Sequence, residues 1–409
     1  MLPPLRLPLS PKDLWLSAWI DGPDEPEILE RAFAAHFGFP YGVLFPYARV
    51  ALYALITTFG WRQQKILCPA YTCAVVPLAI TCSGNMVQFV DCAPDHFLPG
   101  VAQWADRLTP DTKLMIVTPL YGYPVDKNSE VLARTIAPNI FVLYDEAQSL
   151  GASDSNGFQA RDADGALLSL GPGKMLSALS GGLLLLRDET VFRKVRALRD
   201  AQYTTSTFRH VTRRLASGFI RWLALREPVF SSLLYAERLI PVLSPEHIST
   251  RELMETKFPT DVLVLPSSYE IRIALRQLNR LDRLTTARRT VAAYYDHRLQ
   301  EEGFITFSHS ATPTFTRYPL AVSDRTKTIR LFAKEKIQLG WFIRYSCEQA
   351  AVTNVTSSLC PNALLWARSM INLPNFQGVS IVDAERCVEL LLRLRDEREK
   401  AAAWPATVS

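Results

Sequence analysis

Two short clusters in the chain combine residue types that can do covalent chemistry. The first is Tyr144-Asp145-Glu146-Ala147-Gln148, directly after the apolar run Phe141-Val142-Leu143. The second is Ser169-Leu170-Gly171-Pro172-Gly173-Lys174-Met175-Leu176, which closes on Ser180-Gly181-Gly182 and another apolar run. A carboxylate just past a buried parallel strand sits at the ligand-binding edge of its sheet. A lysine framed by glycine and proline between strands is unusual, because lysines normally sit on wet surfaces. Desolvation or a neighbouring charge lowers the pKa of such an amine and makes it a nucleophile towards carbonyl carbon.

Together these groups suit the chemistry of pyridoxal 5′-phosphate (PLP). That cofactor needs an amine to form an imine with its aldehyde and to move protons at the substrate carbon. It needs a carboxylate to keep its pyridine nitrogen protonated, and hydroxyl and backbone donors for its phosphate. Lys174 and Asp145 match the first two needs, and Ser169, five residues before the lysine, is a candidate phosphate donor. Taken singly, each has a plainer reading. A strand-end aspartate often caps a turn, and a lysine is usually a solvated charge.

The elements that must position these clusters alternate. Ala48–Phe59 reads as a helix, with Val50, Leu52, Leu55 and Ile56 at helical spacings. Lys65–Cys68 reads as a strand, Ala74–Thr81 as a helix and Met86–Val90 as a strand. Lys113–Thr118, Ile140–Tyr144 and Leu183–Leu186 are compact apolar runs of the buried-strand kind, and Val191–Arg199 reads as a charged surface helix. Alternation of this sort predicts an α/β fold with a mostly parallel sheet. Past about residue 245 the pattern changes. Tyr269–Leu299 reads as one long helix, Tyr318–Val322 and Trp341–Tyr345 as strands, and Asp383–Arg395 as a terminal helix. The division expected is a large domain over 1–245 and a small C-terminal α+β domain over 246–409.

The order of these segments resembles the DegT/StrS-type family of sugar aminotransferases, which are fold type I PLP-dependent enzymes. The family's SGTxAL helix start is similar to Tyr47-Ala48-Arg49-Val50-Ala51-Leu52, and its PAYTF segment to Pro69-Ala70-Tyr71-Thr72-Cys73. Its VFVDID strand is similar to Val87 through Cys92, and its LYGxPAD segment to Leu120 through Asp126. EDAAQAHGA resembles Tyr144 through Ala152, and FSFxPGKxL with its following GG resembles Leu168 through Gly182.

Carried over residue by residue, the resemblance implies that Lys174 is the Schiff-base lysine and general acid/base. Asp145 would pair with the pyridinium nitrogen, Gln148 would lie beside the ring hydroxyl, and Ser169 would bind phosphate. The family's phosphate-binding Gly-Thr turn falls on Ala48-Arg49. There Arg49 is either a fork-shaped phosphate donor or a solvated arginine at a helix start. Cys73 stands where an aromatic usually covers the cofactor ring, and nearby Tyr71 is a candidate substitute. The family's cross-subunit asparagine is absent from Leu263-Val264-Leu265-Pro266, with Ser267 and Ser268 the nearest polar residues, and Pro119 replaces a histidine. Arg317, Arg325, Arg330 and Arg344 are either binders of a substrate anion or ordinary surface charges.

Bulk properties exclude several classes. Of 409 residues 48% are hydrophobic and 21% charged, and the net charge of +5 is too small to argue nucleic-acid binding. The seven cysteines form no metal-ligand spacing, so no metal site is expected and reduced thiols of a cytoplasmic protein are the better reading. The N-terminus lacks a secretory pattern. The segment 215–243 is apolar and helical, but Arg221, Arg226, Glu227, Glu237 and Arg238 interrupt it and Pro228 breaks it. It reads as core or interface helices, or as an amphipathic surface meeting a membrane or a lipid-linked or acyl substrate.

The expected function is therefore an aminotransferase that moves an amino group from a donor such as glutamate to a keto group. Family resemblance implies a nucleotide-linked keto-sugar as acceptor and a homodimer as the assembly. Sugar dehydration is disfavoured, since dehydrating members carry histidine where this chain has Lys174. Sulfur transfer from cysteine is disfavoured because the surroundings of Lys174 do not resemble that group. A non-catalytic scaffold or regulator is the remaining alternative.

Overall fold

The computed structural model describes residues 2–9, 13–14, 25–154, 157–226, 229, 263–307, 311–340, 342–350 and 360–403. After helix α1 (Pro26–His36), strands and helices alternate: β1 (Tyr41–Phe45), α2 (Ala48–Thr58), β2 (Lys65–Pro69), α3 (Val75–Cys82), β3 (Met86–Val90), α4 (Val101–Ala105) and β4 (Leu114–Val117). They continue with α5 (Asn128–Ile136), β5 (Phe141–Asp145), a small hairpin of β6 (Ser153–Asp154) and β7 (Gly157–Phe158), β8 (Gly165–Ser169) and β9 (Gly182–Leu186). Helices α6 (Glu189–Gln202) and α7 (Phe208–Ala224) follow.

Seven strands form one sheet in the order β1-β9-β8-β5-β4-β2-β3. Every neighbouring pair is parallel except the two made by β9, which runs against both β1 and β8. The strands are apolar on both faces because both faces are covered. In β4, Leu114 and Ile116 join one core cluster while Met115 and Val117 join the other. Helix α2 is apolar nearly all round, burying Val50, Ala51, Leu52, Ala54, Leu55 and Ile56, because it lies on the sheet with α3 and α6 packed against it.

The C-terminal elements are α8 (Ser268–Leu278), α9 (Leu281–Glu301), β10 (Tyr318–Ala321), α10 (Arg325–Lys334), α11 (Pro361–Ser369), β11 (Met370–Leu373) and α12 (Ile381–Ala403). Strands β10 and β11 pair antiparallel as a separate two-stranded sheet.

Two expected elements differ. The single helix over Tyr269–Leu299 is two, broken at Asn279 and Arg280. Asparagine competes for its own backbone groups, and the Arg280 guanidinium is drawn to Asp13 at 2.6 Å. The strand expected at Trp341–Tyr345 does not form over 342–345, and Trp341 lies outside the described residues. Gly340 and Asn372 exchange both backbone hydrogen bonds, at 3.0 and 2.6 Å. The Phe342 amide, two residues on, donates to the Asn372 side chain instead of a strand carbonyl, and the ladder ends. The expected domain boundary near 245 lies outside the described residues, as does most of the apolar segment beyond 226.

Candidate active site

Asp145 is the last residue of β5 and Ser169 the last of β8, so both stand at the carboxyl edge of adjacent parallel strands. Ser169 pairs with Gly182, the first residue of antiparallel β9, so the loop 170–181 that carries Lys174 lies at the same edge. That loop is pinned. The Ala178 amide donates to the Leu170 carbonyl at 2.8 Å, the Ser177 amide to the Gln277 side chain at 3.0 Å, and the Ser180 hydroxyl to Glu270 at 2.6 Å. A single turn of 3₁₀ helix, Glu146–Gln148, follows β5 and delivers Gln148, while the Ala147 amide donates to the Asp145 carboxylate at 3.1 Å.

These residues surround a cavity of about 610 Å³. Its lining brings together seven of the eight expected site residues: Ala48, Arg49, Cys73, Asp145, Gln148, Ser169 and Lys174. Tyr71 is not in the lining. It is 1% exposed, and its hydroxyl meets the Tyr121 hydroxyl at 2.9 Å and donates to the Ile343 carbonyl at 3.3 Å. Those hydrogen bonds hold its ring outside the lining, so the structure does not bring it to where a ring covering the cofactor would stand. Ser267 and Ser268 are also outside the lining. Ser267 is the N-cap of α8, its hydroxyl accepting from the Glu270 amide and donating to the Glu270 carboxylate.

Burial sets the electrostatics. Lys174 is half-buried by surface area because it faces the cavity, yet it is deeply enclosed by protein. That enclosure lowers its pKa; nearby Cys73 and Asp145 work against the shift, and Arg317 and Arg49 add to it. Burial pushes the Asp145 carboxyl up, and Lys174 and the Ala147 amide pull it back. Burial likewise pushes Glu146 up to about 8, against the hydrogen bond from the Ser149 hydroxyl at 2.6 Å.

The donor set fits PLP. Helix α2 starts at the cavity wall with no side chain capping its first amides, a ready anion site. Beside it the buried Arg49 Nε has no acceptor among the described residues, and the buried Gln148 Oε1 has no donor among them. Asp145 suits a protonated ring nitrogen and Lys174 an aldehyde. These unsatisfied atoms are what a bound anionic, heteroaromatic group would complete.

The cavity also holds residues that the sequence reading missed. Thr118 follows β4 at the same sheet edge, buried and with its hydroxyl unpartnered among the described residues, and the strand-end rule would have found it. Phe342 arrives from the C-terminal half, and His210, Arg213, Arg214, Ser217 and Gly218 arrive on α7. No local signal marked these. Gly218 lets α7 sit on the lysine loop, since a Cβ there would lie 2.3 Å from Leu179 Cδ2.

Residues 12–219 and 269–392 match the family described as the DegT/DnrJ/EryC1/StrS aminotransferase family. The chain belongs to that family. Its fold is the one solved for a sugar aminotransferase, CalS13, from Micromonospora echinospora, with TM-score 0.74, 19% identity and coverage of 96% of this chain and 99% of that one. The Escherichia coli GDP-4-keto-6-deoxy-D-mannose-3-dehydratase with bound hydrated PLP superposes with TM-score 0.72, 15% identity and coverage of 96% and 99%. Among curated proteins, Protein MosB of Rhizobium meliloti is 30% identical over 41% of this chain and 33% of its own length. The dTDP-4-amino-4,6-dideoxy-D-glucose transaminase of Shigella dysenteriae is 25% identical over 44% of this chain and 48% of its own. The chain thus spans less than half the length of these curated family members. Asp145, Gln148, Ser169 and Lys174 all lie within the first matched segment, whereas Leu263–Pro266 falls between the two, its Val264 bridging Thr204.

Proposed function

We propose that this chain is a PLP-dependent aminotransferase that moves an amino group from an amino-acid donor, glutamate, to the keto group of a nucleotide-linked sugar. The observation that carries it is one cavity lined both by Asp145, at the carboxyl end of β5, and by Lys174, on the loop that leaves the adjacent strand β8, with the Lys174 amine lowered in pKa. PLP, when bound, supplies the electron sink that makes the substrate carbon acidic. Asp145 would hold its ring nitrogen, and Ser169, Arg49 and the first amides of α2 its phosphate. Lys174 would hold the cofactor's aldehyde carbon and, as a neutral amine, would carry a proton at the substrate carbon. Lysine at position 174, where dehydrating members carry histidine, favours amino transfer over hydroxyl removal. A homodimer in the cytoplasm belongs to the same reading.

The test is an absorbance spectrum of the protein with added PLP, before and after glutamate, alongside Lys174→Ala. A lysine-dependent band that glutamate converts to the amine form is the expected result. No lysine-dependent band would leave a scaffold role, and a band unmoved by every amino donor would point to other PLP chemistry.

A second reading concerns where the protein works. Helix α7 leaves Phe219 (49% exposed), Ile220 (64%) and Leu223 (40%) on the surface. No described helix is long and apolar enough to cross a membrane. This face supports peripheral contact with a membrane that brings a lipid-linked or acyl substrate to the cavity. Sedimentation with vesicles containing anionic phospholipid tests it, and unchanged solubility with and without vesicles would remove it.

A further inference from the structure

Arg288 and Arg317 are two buried guanidinium groups for which the described residues offer no anion. Each is 8% exposed, and neither forms an ion pair with a described residue. Arg288 is held in place by Nη1, which donates to the Thr316 and Asn375 carbonyls at 2.7 Å each. Arg317 is not: its guanidinium lies 4.5 Å from the centroid of the Phe342 ring, and its buried Nε has no acceptor among the described residues. The Nε of Arg288 is unsatisfied as well. Burial holds both groups down to about 10, and Arg317 adds repulsion at Arg288. A buried charge with no partner is costly, so a chain that keeps one gains nothing in stability from it.

The position of the pair says what would satisfy it. Phe342 lines the reaction cavity, and the Lys174 Nζ lies 6.0 Å from the centroid of the same ring. Arg317 and the amine of Lys174 are thus separated by one aromatic side chain. Beside the pair is a pocket of about 10 Å³, lined by Arg6, Gly173, Arg288, Arg317, Asn372 and Asn375. That space takes one water molecule or a halide, and a larger anion needs the Phe342 ring to turn aside. Arg49 and Arg213 face the cavity directly and suit phosphates, whereas a screened, planar fork suits a small planar anion in two-point contact.

We propose that Arg317, backed by Arg288, is the subsite for the carboxylate of the amino donor, reached when the Phe342 ring moves. The proposal rests on the aminotransferase reading and gives its donor a place beside the lysine.

Isothermal titration of the PLP-loaded protein with glutarate, a dicarboxylate without an amine, tests the subsite directly. Binding at least about tenfold weaker in Arg317→Gln and unchanged in Arg330→Gln is the result expected for a charge-assisted pair. Arg317→Lys keeps the charge and loses the fork, and an intermediate loss is expected if the glutamine variant does not fold. Equal affinity in wild type and Arg317→Gln overturns the proposal. So does sodium chloride raising the melting temperature in an Arg317-dependent way with no glutarate binding, because the site then takes only small ions. Arg317-dependent glutarate binding in a protein whose cofactor no amino donor converts upholds the subsite and sinks the aminotransferase reading instead.

Discussion

Gly182 lies so close to the start of α2 that a Cβ on it would stand 2.2 Å from the Ala48 nitrogen. Gly182 opens β9 and pairs with Ser169 at the end of β8, so this one contact fixes the helix start and two strand ends at the cavity. The Tyr47 carbonyl carbon, 2.4 Å from the same point, leaves no room for the backbone to yield locally.

Gly182→Ala should therefore push α2 away from Ser169. The expected cost is about 1–3 kcal/mol of stability from overpacking, with weaker PLP binding beyond what that loss explains. Urea unfolding with a parallel PLP titration checks both. Unchanged affinity would mean that the Ala48 turn does not hold the phosphate.

Glu146 should make the cofactor-free protein less stable as pH rises. Its folded pKa of about 8 exceeds the usual carboxyl value near 4.5, so the folded state keeps a proton that the unfolded state releases. The resulting stability is fully present below the unfolded pKa and is lost as pH climbs to the folded one. The slope is roughly 1.4 kcal/mol per pH unit between them. Glu146→Gln, neutral throughout, should flatten the profile in melts from pH 5 to 8.

Lys174 should be the lysine that reacts first with an amine-selective reagent near neutral pH in the absence of PLP, because its pKa is lowered. Asp145 counters that shift, so Asp145→Asn should lower the pKa further and move labelling to lower pH. Peptide mapping against pH reads the shift directly, and identical profiles would show that Asp145 does not reach the amine electrostatically.

Arg214 ties α7 down. Its Nη1 meets Glu270 at 3.0 Å and its Nη2 the Val264 carbonyl at 2.9 Å, while the same Glu270 accepts from Ser180 on the lysine loop. Arg214→Met leaves Glu270 buried without its cation and should cost on the order of 3–5 kcal/mol. Limited proteolysis within α7 should speed up. Adding Glu270→Gln should recover part of the loss, and full additivity in that double-mutant cycle would argue against the coupling.

The chemistry of this protein was legible locally. Asp145 and Lys174 each stand beside an apolar run, and buried parallel strands are written as short apolar runs whatever packs on them, so strand ends could be found without the fold. Met86–Val90 and Ala48–Thr58 were likewise readable, because one residue type and one period suffice for each. What the tertiary structure decided is the other wall of the cavity. Phe342 and the basic side of α7 come from segments far along the chain, and nothing in their own neighbourhoods marks them. The pairing of Arg317 with Arg288 has no sequence signature at all, since burial of a charge depends on what surrounds it in space. Tyr71 shows the same limit in reverse: its position beside Cys73 in sequence suggested the cavity, and hydrogen bonds to Tyr121 and Ile343 took its ring elsewhere.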